Sequence, residues 1–147
     1  MKSVIKFINE AADRTGDWAL LAMRLILALG FYHPAVTKFK NIYDTTEWFA
    51  SMNFPLPKLS VLLVGATEFV GFFLLMLGFL TRYISIPLMF IMLIAITVVH
   101  MGNGYAAADN GFEIPLYYML MLLVLLFHGA GKISIDGLID SQRRLRR

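Results

Sequence analysis

Residues 61–80 read VLLVGATEFVGFFLLMLGFL. A helix of about 20 residues crosses a ~30 Å hydrocarbon core, so this run is long enough to span a bilayer. It carries one charged side chain, Glu68. A carboxylate at that depth is costly unless it is paired, protonated or turned toward water. Its presence points to a polar site inside a bundle of helices.

Three further apolar stretches, about 18–37, 83–101 and 113–130, join 59–80 as spans. The whole chain of 147 residues is 59% hydrophobic with a mean hydropathy of +0.69, above the roughly 45–50% apolar content of an ordinary soluble domain. The expected fold is an all-α membrane protein, an up-down four-helix transmembrane bundle. Residues 18–130 form its single domain, between a short amphipathic lead (1–17) and a basic tail (131–147). Charges interrupt the lead too often for a cleavable signal peptide, and Val4, Ile5, Ile8, Ala11 and Ala12 recur at roughly helical spacing, as in a helix lying on a membrane surface.

Four spans put both termini on one side. With that side cytoplasmic, nine basic residues lie inside (Lys2, Lys6, Arg14, Arg82, Lys132, Arg143, Arg144, Arg146, Arg147) and three outside (Lys38, Lys40, Lys58). This is the positive-inside pattern, and it predicts a bacterial inner membrane protein with cytoplasmic termini. The RRLRR tail would meet the anionic inner leaflet. It is too short, and too free of a folded reader, for nucleic acid.

The chain has no cysteine, which excludes thiolate metal sites, disulfide exchange and iron–sulfur clusters built by this chain. It also lacks a phosphate loop, a nucleophile elbow and CxxC. Its candidate chemistry lies in the polar residues of the spans. At ~1.5 Å per residue, Arg24 lies about 9 Å from the inner boundary and Glu68 about 18 Å, near the midplane. An Arg24–Glu68 proton or ligand site is the first expectation. The Cβ tilt of antiparallel helices works against that pairing by drawing the two heads apart. Arg24, Ala28, Phe31, Ala35 and Lys38 share one helix face, so Lys38 belongs to the same interior side, whereas Lys40 suits outer headgroups. His33, His100 and Glu113 fall at one depth near the outer boundary and form a candidate two-His, one-carboxylate metal set. Met89, Met92, Met119 and Met121 read as packing. Pro34 is expected to kink or end the first span, and the loop 41–58, with Trp48, Phe49, Met52 and Phe54, to lie at the interface.

The residues also resemble those of the DoxX family of small four-helix membrane proteins, over roughly 18–140. The motif GATEFVGFFLLMLGFLTR carries the resemblance through Glu68, Gly71, Gly78, Thr81 and Arg82, with Arg24, Lys38 and His100. So does GAGKISID through Gly129, Gly131, Ser134 and Asp136. Ala35 and Phe72 stand where glycines are expected, and an inward Phe72 would narrow the cavity. The resemblance implies a redox-associated membrane subunit, linked to quinone or to thiol and sulfur chemistry, and to oxidative or metal stress. It would act with a protein partner in a redox or maturation complex, because the chain holds no electron carrier. Glu68 and Arg24 would form the proton or ligand site, with Lys38 and Phe72 against a quinone-type ligand. A non-enzymatic anchor or assembly factor, and an exporter or buffer of metal or small solute, fit the same residues. The glycines of span 2 allow a homo-oligomer.

Overall fold

The computed structural model describes the backbone of residues 2–146 and the side chains of residues 15–146. The amphipathic face expected of the lead falls on side chains that lie outside the described residues. The described chain is helical, with six α-helices and no strand. Three stretches are long and apolar enough to cross a membrane, Thr15–Lys40, Pro57–Leu77 and Thr81–Asn103. A fourth apolar helix, Glu113–His128, has 16 residues, or about 24 Å at the α-helical rise.

Helix α1 (Lys2–Lys40) runs on through Pro34 without ending there. Proline removes a backbone donor, yet the residues after it keep the helix to Lys40. The face expected to look inward does so: Arg24, Ala28, Phe31 and Ala35 are almost completely buried, as is Leu27 beside them. Helix α2 (Ile42–Ser51) occupies the segment expected to be an interfacial loop. Its Phe49 packs on Phe54 with ring centres 4.7 Å apart, and Trp48 leans on Phe49 at 5.5 Å.

Helix α3 (Pro57–Leu77) buries a single stripe, Val61, Gly65, Glu68, Gly71 and Leu75. The stripe recurs every three or four residues, the spacing of one helix face. A side chain added at Gly65 would stand 3.4 Å from the Lys38 Cβ, and one at Gly71 2.9 Å from Leu88. These small positions let α1 and the next helix close on α3. Helix α4 (Thr81–Ile94) continues as a π-helical turn, Ala95–His100, and a short 3-10 turn, Met101–Asn103. Helix α5 (Glu113–His128) packs along α4, and α1 packs chiefly on α3.

The basic tail forms helix α6 (Ile135–Leu145). Ser134 caps it, accepting from the Gly137 N–H at 3.0 Å. Asp136 also caps a second helix. Its two oxygens accept the Leu80 and Thr81 N–H groups at 2.9 and 3.0 Å, satisfying donors that the start of α4 leaves without an intrahelical partner. Asp136→Ala is therefore expected to lower stability by about 2 kcal/mol. Thermal unfolding in detergent, beside the exposed Asp140→Ala, checks this; equal midpoints for the two variants would count against a capping role.

The surface is inverted relative to a soluble protein. Leu29, Leu63, Phe90 and Phe127 are each at least 60% exposed along the spans, whereas Arg24 and Glu68 are buried. Lipid covers an apolar belt of this kind.

Candidate functional site

Two polar centres lie at opposite ends of the α1–α3 contact. At the α2 end, the Lys38 ammonium donates to both Glu68 oxygens, at 2.7 and 3.0 Å. The side chains are 14% and 4% exposed, so this is a largely buried ion pair. Helix direction explains the choice of partner. Each Cβ leans toward the N-terminus of its own helix. From Lys38, near the end of α1, that lean runs into the bundle; from Glu68 on antiparallel α3 it runs back toward Lys38. The same lean carries Arg24 away from Glu68.

Arg24 accordingly sits at the other end and does not pair with Glu68. Its guanidinium donates to the carbonyl of Leu75 at 3.2 Å and to that of Ile133 at 2.5 Å. The Leu75 carbonyl, in the last turn of α3, also accepts the Gly78 N–H at 3.2 Å, and the Ile133 carbonyl lies just ahead of α6. Gly78 makes the contact possible. Its φ is +65°, and a Cβ there would fall on the Arg24 guanidinium. The Asp136 N–H closes the junction on the Gly78 carbonyl at 3.0 Å. The motif residues Gly78, Thr81, Ser134 and Asp136 thus belong to one joint that fastens α6 to the α3–α4 turn.

The Lys38–Glu68 pair borders a cavity of about 460 Å³ between α1, α3, α4 and α5. This is within the usual ~300–1,000 Å³ of small-molecule sites. Trp48, Phe49 and Phe54 stand over its α2 end, and Phe31, Met92 and Tyr118 line it deeper. Tyr118 lies edge-on to Phe31, 5.7 Å between ring centres. Gly30 leaves room for the Tyr118 hydroxyl, which a Cβ at that position would strike. The π-helical turn contributes Ala95, Val99 and His100 to the wall. Such turns interrupt regular helix pairing and are frequent at functional sites.

Of the other expected site residues, only His100 lines the cavity. Phe72 does not line this cavity; it packs at a tilt against Tyr32 and edge-on to Phe73, with centres 4.9 and 4.8 Å apart. His33, His100 and Glu113 are not gathered into a metal set, and among the described residues no group of three His, Asp or Glu side chains is placed to hold one. Their ligand atoms are engaged locally or turned outward. His33 is exposed. The His100 Nδ1 is 2.8 Å from the Asn110 carbonyl. Glu113 accepts from the Ala107 N–H at 3.0 Å and the Tyr117 hydroxyl at 2.9 Å, pinning the loop that follows α4. Sequence reasoning passed over Tyr118 and Trp48 as cavity residues. The position of Tyr118 five residues inside an apolar helix was the available signal, since buried tyrosines place their hydroxyls deliberately.

A helical protein with long apolar helices, a belt of exposed apolar side chains and a buried ion pair beside a cavity between its helices has the make-up of a membrane protein. The DoxX family model matches residues 19–101, and the chain belongs to the DoxX family. Two uncharacterised proteins of Haemophilus influenzae are similar to it. One is 33% identical over 129 residues, covering 82% of this chain and 83% of that protein. The other is 37% identical over 129 residues, covering 85% of this chain and 93% of that protein. No solved structure matches.

Proposed function

We propose that this protein is the membrane-embedded ligand-binding subunit of a redox complex, with the cavity taking a quinone-type molecule. The observation that carries this reading is the placement of a buried Lys38–Glu68 pair on the wall of a cavity otherwise lined largely by aromatic and aliphatic side chains. An apolar ring with polar oxygens fits such a lining, because the few polar groups fix its orientation. Lys38 donates to a ligand oxygen, and Glu68 holds the proton exchanged when that oxygen gains or loses one. Electrons come from a protein partner, since the chain has no cysteine and no metal-binding cluster among its described residues. α5 serves as the fourth span, the bundle runs up and down, and both termini face the cytoplasm of a bacterial inner membrane, in keeping with the nine-to-three distribution of basic residues. Arg24 acts in this scheme by holding the helix joint and not by touching ligand.

Native mass spectrometry of the protein released from its own membranes in mild detergent tests the reading. A retained quinone is expected, and Glu68→Gln is expected to keep it while lowering quinone turnover in the membranes at least tenfold. Unchanged turnover would remove the proton role of Glu68. Protein carrying lipid alone would favour the second reading, a non-enzymatic anchor or assembly factor, for which the structural use of Arg24 is the supporting observation.

A further inference from the structure

We infer that the cleft between the α3–α4 turn, the 129–132 turn and α6 binds a phosphate group through Arg82, Arg143 and Arg144. This site is separate from the cavity at Lys38 and Glu68 and does not depend on what occupies it. The cleft is open, with a volume of about 1020 Å³. Four cations line it, Arg82, Lys132, Arg143 and Arg144, beside three carboxylates, Asp17, Asp136 and Asp140.

Among the described residues those carboxylates make no ion pair with the arginines, and four cations against three carboxylates leave the lining with a net charge of +1. Asp136 has both oxygens on the Leu80 and Thr81 N–H groups. Asp17 accepts the Lys132 N–H at 2.8 Å and lies 3.6 Å from the Lys132 ammonium. Asp140 remains against three arginines. Among the described residues, none of the three makes an ion pair. Like charges collected in one cleft repel, and an anion between them relieves the repulsion. Arginine suits phosphate in particular, because its planar fork gives two parallel N–H donors.

The fold places these groups. Gly129 has φ +80°, and a Cβ there would stand 3.1 Å from the Arg82 Nε, so the backbone turn lies directly under that side chain. Arg143 and Arg144 occupy the last turn of α6, which the Asp136 cap fastens to the residues just before Arg82. The three positive groups are therefore carried by one joined unit, not by a loose tail. The surroundings are apolar and exposed: Leu80, Tyr83 and Leu138 are 42, 72 and 62% accessible. A phosphodiester with acyl chains meets both features, as an amphipathic interfacial helix does in general. A free phosphate would meet the first alone.

Full-length protein in a zwitterionic detergent is titrated with dihexanoyl phosphatidylglycerol, dihexanoyl phosphatidylcholine and inorganic phosphate by isothermal calorimetry. Phosphatidylglycerol is expected to bind at least tenfold more tightly than phosphatidylcholine, whose ammonium opposes the arginines. Arg82→Gln and Arg143→Gln should each weaken it roughly tenfold, the scale of a lost charge-assisted hydrogen bond. Arg146→Gln, whose side chain is outside the cleft, should change it less than twofold. Saturable competition by inorganic phosphate would support the same phosphate site with a soluble source; its failure to compete would assign the site to lipid. Equal weakening by Arg82→Gln and Arg146→Gln would overturn the site in favour of diffuse attraction to charge. So would the absence of any preference between the two lipids. Arg82 is exposed, and circular dichroism of its Gln variant confirms that a loss of binding is not a loss of fold.

Discussion

Lys38→Met should destabilise the folded protein by about 3 kcal/mol, the lower end of what breaking a buried ion pair costs. The variant leaves Glu68 facing an apolar wall with neither of its two ammonium hydrogen bonds. The lower end applies because Lys38 keeps some exposure and the pair borders a cavity that water can enter. Glu68→Leu should cost a similar amount, by stranding the ammonium. The double variant should be far less harmful than the sum, since replacing both charges with apolar groups removes the penalty along with the attraction. Unfolding in detergent measures all four corners of this cycle. Additive losses would show that the two side chains do not depend on one another. The double variant also separates roles: a stable protein that no longer retains its ligand assigns the pair to binding, whereas a stable protein with full retention leaves it structural.

Gly78→Ala should cost about 4 kcal/mol, although it adds one methyl group. Roughly 1–2 kcal/mol comes from forcing a side chain into the left-handed backbone region, at a φ of +65°. The remainder comes from displacement. The new Cβ would lie on the Arg24 guanidinium and 2.6 Å from the Ser134 Cβ, so Arg24 must leave the Leu75 and Ile133 carbonyls. A charged group gives about 1.5–3 kcal/mol per hydrogen bond lost in this way. Two comparisons sharpen the result. Gly16→Ala, which meets nothing within 4 Å, should be close to neutral. Adding Gly78→Ala to Arg24→Ala should cost much less than Gly78→Ala alone, because the obstructed side chain is already gone. Full additivity would mean that backbone strain, and not the joint, sets the cost.

The position of the buried ion pair was legible from residues 61–80, because one carboxylate in a spanning run has few places to go. Its partner was harder. Depth alone favoured Arg24, but the lean of antiparallel side chains argued against that pairing, and Lys38 stood on the same face of the same helix. The lean decides, since ion pairing needs contact at about 3 Å and depth is blind to direction. Three of the four spans emerged close to expectation because lipid demands long apolar runs, whereas the fourth apolar stretch forms a helix of 16 residues. Helix α2 was obscured by Asp44, Thr45 and Thr46, which favour turns and caps as readily as helix, and its register is held by aromatic packing on Phe49. The π-helical turn at Ala95–His100 has no sequence signature, because nothing in AITVVH separates it from ordinary α-helix. In the tail, a run of arginines masked an available signal. Ser134 followed by Ile135, Leu138 and Ile139 has the form of a cap and an apolar face. That Asp136 reaches across to cap α4 required the third dimension.

The joint at Arg24 also sets an order of events in biosynthesis. Arg24 and Ile133 are 109 residues apart in the chain, and the caps on Leu80 and Thr81 come from 56 and 55 residues downstream. At ~5–20 residues per second, ribosomes take roughly 5 to 20 seconds to bridge the longer interval. Through that interval Arg24 lacks its Ile133 partner, and for about half of it the start of α4 lacks its cap. Water, lipid headgroups or the insertion machinery must hold them meanwhile. The segment around Ile133 and Asp136 then arrives and locks helices made well before it.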